Sequence, residues 1–216
     1  MKILTLGDSF TKGSELADPV SSAWPSVLAN IGEHNVTNEA EYGGSNDMMF
    51  RKAIELTAVD HYDLIIIAWT EAHRMEVYLN EPRDMEYRSY TVGPLSINHN
   101  WGNLKWTKEY YAEHYNEEYF LRKWLTQVIA LQGYFKSRDQ KYIFLNAFGN
   151  QQALPKYNLT TKQSVDSKYF LGWPNEGIVE WVYGLPKGKY GHPLEQAHIL
   201  IAEKINESIR NFSWVS

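Results

Sequence analysis

Three observations predict an α/β fold with a parallel sheet and helices on both faces. Short apolar runs of strand character alternate with stretches of helical period, in the order βαβαβ, insertion, αβ, irregular segment, α. The clearest run, Leu64–Trp69 (LIIIAW), is continuously apolar, as a strand covered on both sides must be. The chain has 216 residues, 44% apolar and 22% charged, enough for one domain with a substantial core.

Each element has its own signal. Lys2–Leu6 (KILTL) reads as a buried strand that ends at Gly7. Ser21, Ser22 and Pro25 open a helix carrying Trp24, Val27, Leu28 and Ile31, which Gly32 closes. Asn35–Asn38 is a second strand. Gly43–Asn46 forms a turn that leads into a helix running to about Val59, with Met49, Ala53, Ile54 and Leu56 as its apolar positions. Residues 72–115 show no clean period and read as an insertion. Asn116 caps a long helix to about Ser137, with Glu117 and Glu118 in its first turn. Lys141–Ala147 is the fourth strand. Pro193 is expected to start the last helix, striped by Leu194, Ala197, Ile201, Ile205 and Ile209. One domain over 1–216 is therefore expected, with the insertion at about 72–115.

Composition excludes several functions. The net charge of −5 argues against nucleic-acid binding. The absence of cysteine excludes disulfides, zinc-thiolate sites and a thiol nucleophile. Seven scattered histidines give no metal-binding pair, and no cofactor motif stands out. Gly43–Asn46 could cradle a phosphate, but it lacks the lysine of a phosphate loop. No apolar run reaches membrane-spanning length, and the opening residues do not form a secretory signal. The expectation is a soluble cytoplasmic protein that avoids membranes and nucleic acid. Self-association is left open.

In a parallel sheet, sites lie beyond the carboxyl ends of the strands. Gly7–Thr11, Gly43–Asp47, Thr70–Arg74 and Phe148–Gln152 all fall there. Gly7-Asp8-Ser9-Phe10 places a hydroxyl and its own N–H on a tight turn, where one can attack a carbonyl and the other can hold an oxyanion. The bland alternative is that Asp8 or Ser9 only organises the turn. Gly191-His192-Pro193 presents an imidazole suited to a general base, or else a structural histidine.

Together these residues resemble the SGNH/GDSL hydrolase family over nearly the whole chain. GDSF at 7–10 resembles its first block, NEAEYG at 38–43 its second and GHPLEQAH at 191–198 its last. The resemblance implies a flavodoxin-like three-layer α/β/α fold and ester hydrolysis or acyl transfer without metal or cofactor. It implies Ser9 as nucleophile, His192 as base, and the N–H groups of Ser9 and Gly43 as oxyanion donors. The strings WTEAHR and GHPLEQAH also resemble a variant of the group often encoded by tailed phages.

Two positions depart from that pattern. The third-block Asn, normally a third oxyanion donor, is missing from Ala68–Arg74. Asn46 could supply an amide instead, or cap its helix. The family's Asp-x-x-His acid is replaced by Lys189. Glu180, Glu176 and Asp166 are candidate substitutes, while Glu195 suits the first turn of the last helix. Glu71, His73, Arg74 and Glu76 form a charged cluster that reads either as a substrate anchor or as an internal network. Eight Trp and 15 Tyr could build core, a groove for an acylated sugar or a protein-binding surface. The expected substrate is a small-molecule or carbohydrate ester. A weakly active binding module and an O-acyltransferase are the alternatives.

Overall fold

The computed structural model describes residues 1–78, 89–92 and 105–212. Four parallel strands form the central sheet in the order β2-β1-β3-β6: β1 (Lys2–Leu6), β2 (Asn35–Asn38), β3 (Leu64–Trp69) and β6 (Tyr142–Asn146). Register runs Ile3↔Val36 and Ile3↔Leu64 on the two sides of β1, and Ile65↔Tyr142 between β3 and β6. Beyond β6, Leu171 N–H donates to the Phe144 carbonyl at 2.8 Å, so residues 170–171 extend that edge.

Strand alternation divides the core in two. Ile65, Ile67 and Trp69 of β3, with Tyr142 and Phe144 of β6, face α4 (Asn46–Val59) and α6 (Glu117–Ser137), where Met49, Ala53, Trp124 and Val128 complete the layer. Leu64, Ile66 and Ala68, with Ile143 and Leu145, face α3 (Trp24–Gly32) and α9 (Glu195–Asn211) through Trp24, Leu28, Ile201 and Ile205. This is the expected three-layer α/β/α architecture, and LIIIAW is buried along its whole length because both faces are covered.

The shorter helices are α1 (Ser9–Lys12), α2 (Pro19–Ser22), α5 (Lys105–His114), α7 (Asn150–Ala153) and α8 (Ile178–Trp181). The insertion carries α5 and an antiparallel pair, β4 (Met75–Tyr78) with β5 (Ser89–Val92). Asn116 caps α6 by accepting from Tyr119 N–H at 2.8 Å.

One boundary differs from expectation. Pro193 does not begin the last helix. It pairs with Lys187 in an antiparallel bridge, Gly188 N–H donates to the His192 carbonyl at 2.9 Å, and α9 starts only at Glu195. His192 therefore stands on a narrow hairpin-like loop rather than at a helix entry.

The aromatic-rich reading is resolved in part. Trp69, Phe144, Phe170, Trp124 and Trp173 form a chain of ring contacts inside the core, with centroids 4.9–6.5 Å apart. Tyr87 and Trp101 lie outside the described residues, as do the side chains of Tyr90 and Trp106.

Candidate active site

Four loops meet at the carboxyl edge of the sheet. After β1 the chain turns at once into α1. Asp8 caps that helix, accepting from Phe10 N–H at 3.0 Å, and Ser9 is its first residue. Gly7 is needed here for close approach, since a Cβ at this position would fall 2.1 Å from Thr11 Oγ1. The N–H of Ser9 lies in the first turn, where no intrahelical acceptor exists. Among the described residues it has no other acceptor.

The loop after β2 is tied to the same turn. Glu41 N–H donates to the Gly7 carbonyl at 3.1 Å. Gly43 adopts φ +69°, which glycine takes without steric penalty, and its N–H is likewise unpaired among the described residues. Two orphan backbone donors thus flank the Ser9 turn.

His192 is held by an acid that was not among the sequence candidates. Its Nδ1 lies 2.8 Å from Glu15 Oε2. The same carboxylate accepts from the backbone N–H of His192 at 3.2 Å and of Tyr190 at 2.9 Å and 3.0 Å. Desolvation opposes ionisation of Glu15, but these N–H groups and the imidazole outweigh it and lower its pKa. Glu15 has φ +68°, a left-handed conformation costing a non-glycine residue about 1–3 kcal/mol. Three converging donors hold it there. Gly188 leaves room for it, because a Cβ on Gly188 would come within 2.4 Å of the Glu15 carboxyl carbon.

The expected substitutes for the missing acid are engaged elsewhere. Glu180 accepts from Gly177 N–H at 2.8 Å in the cap of α8. Asp166 pairs with Lys136 at 2.7 Å. Glu176 lies against Gly172, and Glu195 sits in the first turn of α9. None of them reaches His192. The signal for Glu15 was faint: an acid six residues after Ser9, in a loop with no regular pattern.

With Nδ1 turned to Glu15, the Nε2 of His192 has no protein partner among the described residues. The ring meets Phe10 edge-on at 5.7 Å, which brings the imidazole against the residue after Ser9. Ser9 is 7% exposed, and no hydrogen bond joins its hydroxyl to His192.

Asn46 takes neither expected role. Ser45 caps α4, accepting from Met48 N–H at 3.2 Å. The Asn46 amide instead clamps the end of β3: Oδ1 accepts from Thr70 N–H at 2.9 Å, and Nδ2 donates to the carbonyls of Thr70 and Glu71 at 3.1 Å and 3.4 Å. Asn150 grips the same stretch, with Nδ2 donating to the Thr70 carbonyl at 2.6 Å and Oδ1 accepting from Ala72 N–H at 2.8 Å. This grip by Asn150 on the end of β3 was not foreseen from the sequence.

The charged cluster is a network running to the Ser9 turn. Arg74 Nε donates to Glu71 Oε2 at 2.9 Å, Nη2 forms an ion pair with the same oxygen at 2.8 Å, and Nη1 donates to Asp8 Oδ2 at 3.4 Å. The Thr70 hydroxyl donates to that same Asp8 oxygen at 2.5 Å. Burial raises the Asp8 pKa, against the pull of Arg74, Thr70 and Phe10 N–H. For Glu71 burial acts in the same upward direction, but hydrogen bonding from His73 and the Arg74 charge prevail and bring it to about 2. Glu76 turns away from this network and pairs with Arg51 at 2.6 Å.

A family model described as Family of unknown function (DUF6071) matches residues 14–215. The chain belongs to DUF6071. No curated protein matches it.

Solved structures similar to this DUF6071 chain carry the expected fold. One is a protein from Desulfitobacterium hafniense DCB-2 assigned to the G-D-S-L lipolytic family, at 14% identity and a TM-score of 0.59, with 96% of this chain and 98% of that one covered. The psychrotrophic esterase EstA from Pseudoalteromonas sp. is 13% identical with a TM-score of 0.53, over 97% and 96% of the two chains. A family two carbohydrate esterase from Clostridium thermocellum, solved with cellohexaose, is 14% identical with a TM-score of 0.54, over 99% of this chain and 65% of that one. The DUF6071 chain therefore has the SGNH-hydrolase fold.

Proposed function

We propose that this protein hydrolyses carboxylic esters with a Ser9–His192–Glu15 triad. The observation that carries the reading is the 2.8 Å contact between Glu15 Oε2 and His192 Nδ1, on a loop whose imidazole abuts the Ser9 turn. A carboxylate on Nδ1 fixes the tautomer with Nε2 as proton acceptor and stabilises the imidazolium that forms.

Ser9 Oγ attacks the ester carbonyl and its proton passes to His192 Nε2. The oxyanion lies between the N–H groups of Ser9 and Gly43. Collapse breaks the C–O bond, and His192 returns the proton to the departing alcohol. Water then attacks the acyl-enzyme, again with His192 as base, and acid leaves as Ser9 is restored. An acceptor hydroxyl in place of water would make the same site an O-acyltransferase.

A sugar suits the alcohol side. Tyr42 and Tyr190, 55% and 71% exposed, stand beside Gly43 and His192, where aromatic faces can stack on a pyranose ring. The similar Clostridium esterase bound to cellohexaose supports this substrate class.

The test is turnover of p-nitrophenyl acetate by the wild type, Ser9→Ala and His192→Ala, together with labelling by a small fluorophosphonate. Activity abolished in both folded variants, with label on Ser9 of the wild type, is the expected result. Equal rates in all three proteins and an unlabelled Ser9 would overturn it. That outcome would favour a binding module, the reading supported by the missing third-block Asn and the absent Ser9–His192 hydrogen bond. Acetate release from acetylated xylo-oligosaccharides then tests the sugar assignment.

A further inference from the structure

The geometry points to Arg74 as the third oxyanion donor, a guanidinium N–H taking the place of the side-chain amide that the loop after β3 lacks. This rests on the ester-hydrolase reading above.

The Asn46 amide hydrogens go to the carbonyls of Thr70 and Glu71. Asn150 Nδ2 also donates to the Thr70 carbonyl, and the Thr70 hydroxyl is committed to Asp8. Arg74 differs. A guanidinium has five N–H hydrogens. Among the described residues, Nε donates to Glu71 and Nη1 to Asp8, and Nη2 is ion-paired with Glu71. At least one hydrogen on Nη1 and one on Nη2 have no acceptor among the described residues.

The group is also in the right neighbourhood. Its Nη1 lies 3.4 Å from the carboxyl of the residue before Ser9. Its plane rests over the Phe148 ring at 5.0 Å, Phe148 meets Phe10 at 4.3 Å, and Phe10 meets His192 at 5.7 Å. Arg74 and His192 are thus linked through the Phe148–Phe10 pair next to residue 9. With its side chain 14% exposed, Arg74 is sheltered from bulk water. Two carboxylates hold it in place, so little reorganisation is needed as negative charge develops on the substrate oxygen.

The experiment compares the wild type with Arg74→Ala and Arg74→Lys in steady-state p-nitrophenyl acetate turnover and in the rate of fluorophosphonate capture by Ser9. Thermal unfolding is followed in parallel. Loss of one oxyanion donor is expected to lower kcat by about 100-fold or more. KM should change little, and Ser9 capture should slow in proportion. Arg74→Lys keeps the charge but not the planar fork, and should lie between. Added guanidinium should restore part of the Arg74→Ala rate, which a purely structural role would not allow. A folded Arg74→Ala with unchanged kcat would overturn the proposal. So would a loss that neither guanidinium nor lysine relieves. A wild type that neither turns over ester nor labels at Ser9 sinks the hydrolase reading and this proposal with it. An active wild type whose rate ignores Arg74 sinks only the latter.

Discussion

Glu15→Gln is the most informative single substitution. In the wild type one carboxylate receives His192 Nδ1 at 2.8 Å, His192 N–H at 3.2 Å and Tyr190 N–H at 2.9 Å. Glutamine keeps the shape but offers only one acceptor oxygen. If that oxygen stays on His192, the tautomer survives, while the amide NH2 faces the Tyr190 N–H and the imidazolium loses its counter-charge. If the amide turns over, NH2 faces Nδ1, which must then act as acceptor. The proton moves to Nε2, and Ser9 has no base. The second arrangement parallels the roughly 10⁴-fold loss seen when a triad acid becomes an amide. Mixing of the two gives an expected fall in kcat between about 100-fold and 10⁴-fold, with KM nearly constant. Steady-state ester hydrolysis measures it, and thermal unfolding checks that the loop stays folded. Gly188→Ala gives an independent approach, since its Cβ would occupy the Glu15 carboxyl position. A Glu15→Gln enzyme within tenfold of the wild type would refute the triad assignment.

Three further outcomes follow from other contacts. Gly7→Ala sets a Cβ 2.1 Å from Thr11 Oγ1. It should destabilise by about 1–3 kcal/mol in urea unfolding and lower activity by misplacing α1; Thr11→Ala should relieve this only in part, because the Thr11 Cβ would still lie 2.5 Å from the new methyl. Thr70→Val removes the hydroxyl donated to buried Asp8 and should cost about 1–3 kcal/mol by the same assay. His198 is fully buried, its Nδ1 accepts from Trp24 N–H at 3.0 Å, and burial lowers its pKa from 6.5 to about 4. The unfolded chain therefore binds its proton first as pH falls. Stability from this group is complete above about pH 6.5 and is lost towards about pH 4, by about 3 kcal/mol at 1.36 kcal/mol per pH unit. Urea midpoints between pH 7 and 4 check this, and His198→Gln should flatten the slope.

The sheet and its main helices were legible because they depend on local pattern. LIIIAW must be a doubly covered strand, Asn116 must precede a helix, and both readings need only neighbouring residues. The turns that carry Ser9 and Gly43 were legible at strand ends from their glycines, as was the loop carrying His192 near the last helix. What stayed hidden depends on long-range contact. Glu15 meets His192 across 177 residues of sequence, and Asn150 meets Thr70 across 80. The helix boundary at Pro193 was misread for a similar reason: a proline suits the first turn of a helix, but the bridge to Lys187 holds this one extended.

On the proposed triad, the position of Glu15 would let the Asp-x-x-His motif be absent without loss of the chemistry. Three residues before His192 stands Lys189, whose ammonium lies over the Tyr190 ring at 5.3 Å. Tyr190 is itself 71% exposed, so this side of the loop faces solvent. The inner side already meets Glu15, through the backbone as well as the imidazole. An aspartate at 189 would extend outward, away from Nδ1. Lys189→Asp in a Glu15→Gln background should therefore fail to restore activity, although it recreates the Asp-x-x-His spacing. A recovery above tenfold in kcat would mean that the loop can turn to present either side chain. The unrescued double variant would place orientation of His192 in the left-handed turn at Glu15, on the Ser9 loop, and in the space left by Gly188 on the His192 loop.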